Sequence, residues 1–213
     1  MLELLHQYGG MLLRSIGVHT AYVVVAVLIG FVIGLLLGIF ISRFSAASGV
    51  ILPILSVFQT IPGLVFIGVL FIWWGMTYPT VIVALTVYAM FPVLKNTYTG
   101  ITTIDPQYKE AAKGCGMSRR QSMFRVELPL AMPTIIAGLR MAAIYTVSWT
   151  VLAAMIGMGG LGDFVYRGVT SNNNKLILLG AIPAAILAIV IGLLIYLLQK
   201  KVTPRGLRKE VIR

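Results

Sequence analysis

Long apolar runs separated by short polar stretches dominate the hydrophobic pattern of this 213-residue chain. A bilayer is crossed by roughly 20 consecutive apolar residues in helical form, because backbone polar groups in lipid must be satisfied within the helix. The pattern therefore predicts an all-α polytopic membrane protein with about five transmembrane helices in a single domain, residues 1–213. We place the spans at about residues 18–41, 50–74, 79–94, 130–156 and 176–198.

The first predicted span carries a row of glycines at four-residue spacing. The row consists of Gly30, Gly34 and Gly38. These residues share one helix face, which allows another helix to approach closely in lipid, and we favour packing within the subunit over packing between subunits. The preceding residues 1–17 are predicted to lie in the membrane interface. His6 and His19, the only two histidines, are interpreted as incidental.

Polar or helix-breaking residues inside the predicted spans are candidates for a transport pathway. Pro62 removes one backbone hydrogen bond and is predicted to kink the second span next to Gln59. Two interpretations remain open, a packing kink and a bend that lines a pathway, because polar groups in lipid face protein or water-filled space. Arg140 lies inside the fourth span, where three roles fit: stabilising a subunit contact, lining a cavity, or extending to the membrane surface.

The longest polar interruption, residues 105–129, predicts two short helices joined by glycines. Asp105 is suited to cap a helix whose first residue is Pro106, where the missing N–H has no cost. That helix is predicted to stop near Gly114 or Gly116, the second of which allows backbone angles that other residues resist.

The second helix of this loop is predicted to begin at Ser118, because Ser118 and Gln121 have the spacing of a capping box. It is predicted to end at Leu128, since the residue before a proline, here Pro129, is disfavoured in helical conformation. Two short helices beside a membrane form a surface suited to docking a partner protein.

Six positions of the loop fit a known spacing. They are Glu110, Ala111, Ala112, Gly116, Leu128 and Pro129. This pattern resembles the EAA loop of ABC importer permeases, and its one departure is Val126, where that family usually has isoleucine. In the family the loop is a coupling helix that sits in a cleft of a cytoplasmic ATPase. The resemblance implies three partners: an ABC ATPase subunit that binds ATP-Mg, an extracytoplasmic solute-binding protein, and a second permease subunit, identical or homologous.

The resemblance extends from about Gln59 to Gly168. Over this range the chain is similar to permeases for osmoprotectants such as glycine betaine, carnitine or choline. Its motifs are QTIP, FPVLKNTYTGI, DPQYKEAAKGCGM, VELPLAMPTIIAGLR and GMGGLGD. The last motif implies a tight turn near the outer gate, with Gly159 and Gly160 as gate candidates. Permeases for methionine or another small amino-acid-like solute share the five-span architecture and are the alternative.

Composition and charge agree with a membrane protein and indicate its orientation. The chain is 59% hydrophobic and 11% charged, with a mean hydropathy of +0.96, whereas soluble domains are about a quarter charged. Thirteen of the 17 Lys and Arg residues lie in the loops and tail on one side of the predicted spans. The positive-inside rule then places the loop 105–129 and the C-terminus in the cytoplasm and the N-terminus outside a bacterial cytoplasmic membrane. This distribution explains the net charge of +11 without nucleic-acid binding.

Motifs for catalysis are missing from the sequence. It contains no G-x-x-x-x-G-K-[ST] phosphate loop and no group of His, Cys, Asp and Glu at metal-ligand spacing. The G-x-G-x-x-G pattern within residues 157–163 follows a membrane helix rather than a strand, so it does not indicate a dinucleotide site. We therefore predict that the chain is not an enzyme and holds no cofactor or metal. Gradient-driven transporters usually show inverted repeats, and no clear self-similarity is present, which favours an importer subunit over that class.

Overall fold

The computed structural model describes residues 2–155 and 157–203, and this part of the chain consists of helices joined by short turns. The helices are α1 (Leu2–Ile41), α2 (Ser45–Phe58), α3 (Gly63–Trp74), α4 (Tyr78–Thr102), α5 (Pro106–Gly114), α6 (Arg119–Ser122), α7 (Leu128–Met155), α8 (Gly162–Thr170) and α9 (Asn174–Val202), and a π-helical turn (Met123–Glu127) joins α6 to α7. The all-α prediction is confirmed. Residue 156, the predicted end of the fourth span, and the basic tail from residue 204 lie outside the described residues.

Four helices of the described chain are long and apolar enough to cross a bilayer. They are His6–Ile41, Tyr78–Thr102, Arg119–Ala154 and Asn174–Val202. The helices α2 and α3 together form a fifth candidate, but they are bent by 89° at the break between them. Length and composition thus give four or five crossings, in agreement with about five predicted.

The helices of the first and third predicted spans run furthest past the predicted boundaries. The first begins at Leu2 and not near residue 18, so residues 2–17 extend the same helix instead of forming a separate interfacial segment. The third predicted span ended at residue 94, whereas α4 continues to Thr102 and includes Lys95. Lys95 does not end α4, because lysine has a good helix propensity.

The centre of the fold is α4, which packs between α1 and α7. A Cβ added to Gly34 would lie 2.6 Å from the Met90 carbonyl oxygen, and one added to Gly38 would lie 2.6 Å from Thr97 Cβ. The glycine row of α1 therefore packs against α4 within the subunit, as predicted. On the other side, Gly138 of α7 meets α4 at Asn96, where an added Cβ would lie 2.6 Å from the Asn96 Cβ.

The short helix α8 was not predicted. Its nine residues include Asp163 and Arg167, and the sequence analysis placed no helix between the fourth and fifth spans. The helix is held by Phe164 and by the preceding Leu161, both of which are fully buried against the start of α9. Tertiary burial of one apolar face is enough to form a helix of this length, which sequence periodicity alone does not reveal.

Candidate coupling surface and pathway groove

The first helix of the polar loop begins as its sequence predicts. The Gln107 N–H donates to Asp105 Oδ1 at 3.0 Å, and Pro106 occupies the first turn. The side-chain amide of Gln107 also donates to Asp105 Oδ2 at 2.8 Å. The first contact satisfies a backbone N–H that the helix itself leaves without a partner, and the second holds the capping carboxylate in place.

The end of α5 is a Schellman motif built on Gly116. The Gly116 N–H donates to the Lys113 carbonyl at 2.9 Å, and the Met117 N–H donates to the Ala112 carbonyl at 3.1 Å. Gly116 has φ +75°, and a Cβ built there would meet no atom within 4 Å. Glycine is therefore required at this position by backbone conformation and not by a lack of space.

The three residues Glu110, Ala111 and Ala112 do not all face outward. Glu110 and Ala111 are exposed on α5, whereas Ala112 is buried against the chain itself. The small side chain of Ala112 lets α5 pack closely against its own subunit. Glu110 and Ala111 remain available to a partner.

The second helix of the loop begins as predicted but does not end at Leu128. Ser118 and Gln121 form the capping box, with the Ser118 N–H donating to Gln121 Oε1 at 2.8 Å. Beyond Ser122 the chain continues through the π-helical turn into α7, so that Leu128 and Pro129 lie in the first turn of α7. The wider turn before Pro129 accommodates a ring that would clash in a regular α-helix.

Glu127, at the end of the π-helical turn, connects the loop to the end of α1. Its Oε1 accepts hydrogen bonds from Arg43 Nη2 at 3.0 Å and from the Ser122 hydroxyl at 3.0 Å. The Glu127 side chain is only 3% exposed, whereas that of Arg43 is 38% exposed. This is the one ion pair between side chains that the structure describes. Sequence reasoning missed it, and its only signal was an isolated acidic residue in a basic loop.

Around this ion pair lies the coupling surface, which we define as the exposed face of α5, α6 and the π-helical turn. Its basic side chains are Lys109, Lys113, Arg119, Arg120 and Arg125, together with Arg43 from the end of α1. Phe124 is largely exposed and Met117 is half-buried, so the surface combines apolar and cationic groups. Such a surface suits a protein partner with acidic and apolar patches.

The second predicted span is broken and not merely kinked. The helix α2 ends before Gln59, and Pro62 is the N-cap of α3. The Tyr88 hydroxyl donates to the Ile61 carbonyl at 2.7 Å, which satisfies a backbone group freed by the break. A Cβ on Gly63 would lie 2.1 Å from the Trp149 ring. The break is thus fixed in position by α4 and α7.

A groove lies between α2 and α4 beside this break, and we call it the α2–α4 groove. Its apolar lining is Leu52, Leu55, Phe91 and Leu94, and its polar lining is Ser56, Gln59, Lys95, Tyr98 and Thr99. At its far end the Tyr98 hydroxyl donates to Ser48 Oγ at 3.1 Å. The structure therefore places Gln59 on a groove wall. Pro62 instead precedes the first residue of α3 and does not line the groove.

The glycine-rich turn at 157–163 is held by a histidine. Gly159 and Gly160 have φ of +77° and +103°, and the Leu161 N–H donates to His19 Nδ1 at 3.4 Å. His19 Nε2 donates to the Val147 carbonyl at 3.2 Å. The interpretation of His19 as incidental is therefore wrong, because it joins α1, α7 and this turn. Next to the turn, burial raises the pKa of the Asp163 carboxyl, and its neighbour on α8, Arg167, opposes that shift.

Arg140 is exposed on α7 and does not line the α2–α4 groove. Its guanidinium carbon lies 5.7 Å from the centre of the Tyr196 ring on α9, within the range of a cation–π contact. The structure thus assigns Arg140 to a contact between α7 and α9 on the outer surface of the subunit. Within the described residues, no group of three or more His, Cys, Asp or Glu side chains is arranged to hold a metal ion.

Comparison with known proteins decides the family. Residues 12–207 match the family described as binding-protein-dependent transport system inner membrane component. This chain belongs to that family. It is 37% identical to the glycine betaine/carnitine/choline transport system permease protein OpuCB of Bacillus subtilis (strain 168), over 99% of this chain and 98% of the relative. It is 36% identical to the choline transport system permease protein OpuBB of the same organism, over 98% and 96%.

Two further comparisons define how far the likeness extends. The permease ProW of Escherichia coli (strain K12), named for glycine betaine and proline betaine, is 35% identical over 89% of this chain and 53% of ProW. The inward-facing MetNI methionine ABC transporter has a chain that superposes with a TM-score of 0.80, at 22% identity, over 91% of this chain and 96% of that chain. The second likeness shows that this permease has the fold of an ABC importer permease.

Proposed function

We propose that this chain is the membrane subunit of an ATP-driven importer for quaternary-ammonium osmoprotectants such as glycine betaine, carnitine or choline. The observation that carries the proposal is the 37% identity to a permease named for these three solutes, over nearly the full length of both chains. The likeness is not confined to the coupling surface that importers of many solutes share, but includes the α2–α4 groove. Methionine is the alternative cargo, and it is supported only by a likeness in fold.

The proposed importer needs three partners besides the bilayer. An ABC ATPase subunit that holds ATP-Mg docks on the coupling surface, where Glu110, Ala111 and Phe124 are exposed. An extracytoplasmic solute-binding protein delivers the cargo on the opposite side, and a second permease subunit, identical or homologous, encloses the pathway. The cycle consists of delivery from outside, closure of the ATPases on ATP, and a pull on the coupling surface that opens the pathway inward.

Contacts between helix ends support five crossings and a consistent orientation. The Arg43–Glu127 ion pair puts the end of α1 on the same side as the coupling surface. Since α4 crosses once and ends on that side, α2 and α3 together must carry the chain across. Gln199 near the end of α9 donates to the Pro133 carbonyl near the start of α7 at 2.8 Å. The end of α9 therefore lies on the same side as the coupling surface. The basic coupling surface faces the cytoplasm under the positive-inside rule, so the N-terminus lies outside.

The test is uptake of labelled glycine betaine, carnitine, choline and methionine in cells that lack this subunit and all other betaine importers. Restoring the subunit with its partners is expected to restore uptake of at least one quaternary amine under salt stress. Cells with the Gly116→Val variant serve as a control for expression without coupling. Restored methionine uptake with no uptake of any quaternary amine would contradict the proposal and establish the alternative.

A further inference from the structure

Lys95 is a positive charge without a carboxylate partner inside a candidate membrane helix. It lies on α4, seven residues before the helix ends at Thr102, or roughly 10 Å at 1.5 Å per residue. Among the side chains that the structure describes, no carboxylate lies within ion-pair distance of Lys95. Lys95 is exposed on α4, and an ionisable side chain within a membrane helix commonly marks a substrate pathway.

The groups around Lys95 are suited to binding a small amphipathic ligand. Lys95 lines the α2–α4 groove between polar groups and an apolar wall. The polar groups include the amide of Gln59 and the hydroxyl of Thr99, and the apolar wall includes Phe91 and Leu94. Phe91 is itself the edge of an aromatic cluster, with its ring centre 5.6 Å from that of Phe58. The lining contains one cation, neutral hydrogen-bonding groups and no anion.

This combination distinguishes between classes of quaternary amine. A carboxylate gains a charge-assisted hydrogen bond from the Lys95 ammonium, and methylated ammonium groups favour apolar and aromatic walls. A cation without a carboxylate gains nothing from Lys95 and is repelled by it. We propose that the α2–α4 groove binds zwitterionic quaternary amines, with Lys95 contacting their carboxylate, and thereby favours glycine betaine and carnitine over choline.

The inference rests on the proposed function and adds a selective residue to it. The groove encloses about 110 Å³ and is open on one side, whereas ligand pockets usually measure roughly 300–1,000 Å³. One subunit therefore provides part of the site, which the second permease subunit would cover. A partial site also suits a transport pathway, because cargo must be released as readily as it is taken up.

The experiment compares initial uptake rates of glycine betaine, carnitine and choline for the wild-type importer and for Lys95→Met. Loss of a charge-assisted hydrogen bond corresponds to about a tenfold change or more, so uptake of the two carboxylates is expected to fall about tenfold. Choline uptake is expected to stay constant or rise. Lys95→Arg keeps the charge and is expected to retain wild-type preference, and Lys175→Met controls for loss of a lysine outside the groove.

The ratio of choline to betaine uptake decides the result. An unchanged ratio in Lys95→Met, whether all rates fall together or none does, would overturn the proposal and leave Lys95 with a structural role. If that variant is absent from the membrane, Lys95→Gln provides the same ratio and the same criterion. A wild-type importer that carries choline alone would also overturn this proposal, but would uphold the proposed function. A wild type that carries none of the three solutes would instead refute the proposed function.

Discussion

Replacing Arg43 by methionine is expected to destabilise the protein because it leaves a buried carboxylate without its counter-ion. Removing one partner of a fully buried ion pair costs about 3–5 kcal/mol. The Glu127 side chain is 3% exposed and is therefore buried as that cost requires. The Arg43 side chain is 38% exposed, so solvent already screens part of its charge. We therefore expect Arg43→Met to lower the free energy of unfolding by about 1–3 kcal/mol.

The decisive variant removes the carboxylate as well. Glu127 Oε2 is buried and has no hydrogen-bond partner in the described structure, so the carboxylate is costly even in the native protein. Glu127→Met alone is expected to cost less than Arg43→Met, since the freed Arg43 can reach solvent. In the double variant the second substitution is expected to restore most of the stability lost in Arg43→Met, because an apolar pair replaces a buried ion pair at little net cost.

The assay is equilibrium unfolding of the purified subunit in mixed micelles with increasing SDS, followed by tryptophan fluorescence. Trp149 packs against Gly63 and Tyr88 in the folded state and provides the signal. Arg120→Met is the matched control, since Arg120 is an exposed basic residue of the same surface and its loss is expected to change stability by less than about 0.5 kcal/mol. Additive effects of the two substitutions would refute the reasoning, because independent sites do not couple.

Two further predictions follow from the loop conformation and from the charge distribution. Gly116→Val is expected to abolish uptake and weaken recovery of the ATPase while leaving insertion intact, because a β-branched residue is strained at φ +75°, whereas Gly116→Asn is expected to be milder. Wild-type uptake with Gly116→Val would contradict this. In a Cys115→Ser background, Ser171→Cys is expected to react with an impermeant thiol reagent in intact cells, and Arg208→Cys only after permeabilisation. Ser171 is exposed at the end of α8, and the opposite labelling pattern would refute the orientation.

Features that depend on neighbouring residues could be predicted from the sequence. The cap at Asp105, the first turn at Pro106 and the capping box at Ser118 each involve residues within three positions of one another. Gly116 was predicted to need unusual backbone angles, and its positive φ confirms this. The glycine row on α1 was also predictable, because close helix packing needs small side chains at fixed spacing.

Features that depend on distant residues could not be predicted. Arg43 and Glu127 are separated by 84 positions, and His19 and Leu161 by 142. No periodicity in a single sequence connects such pairs. Pro129 led to a wrong helix end for a related reason, since a π-helical turn supported by tertiary packing removed the conflict that a regular helix would have met.

The coupling surface and the α2–α4 groove are connected by a short covalent and electrostatic path. Arg43 is held to Glu127 at one end of the coupling surface, and α2 begins two residues later at Ser45. A displacement of the π-helical turn therefore acts on the start of α2, and the opposite end of α2 is the break at Gln59. Tyr88 and Trp149 hold the far side of that break, and α2 itself contacts α4 through the Tyr98–Ser48 hydrogen bond and the Phe58–Phe91 ring contact. In the proposed importer, the groove wall carried by α2 is therefore linked to the coupling surface through the Arg43–Glu127 ion pair.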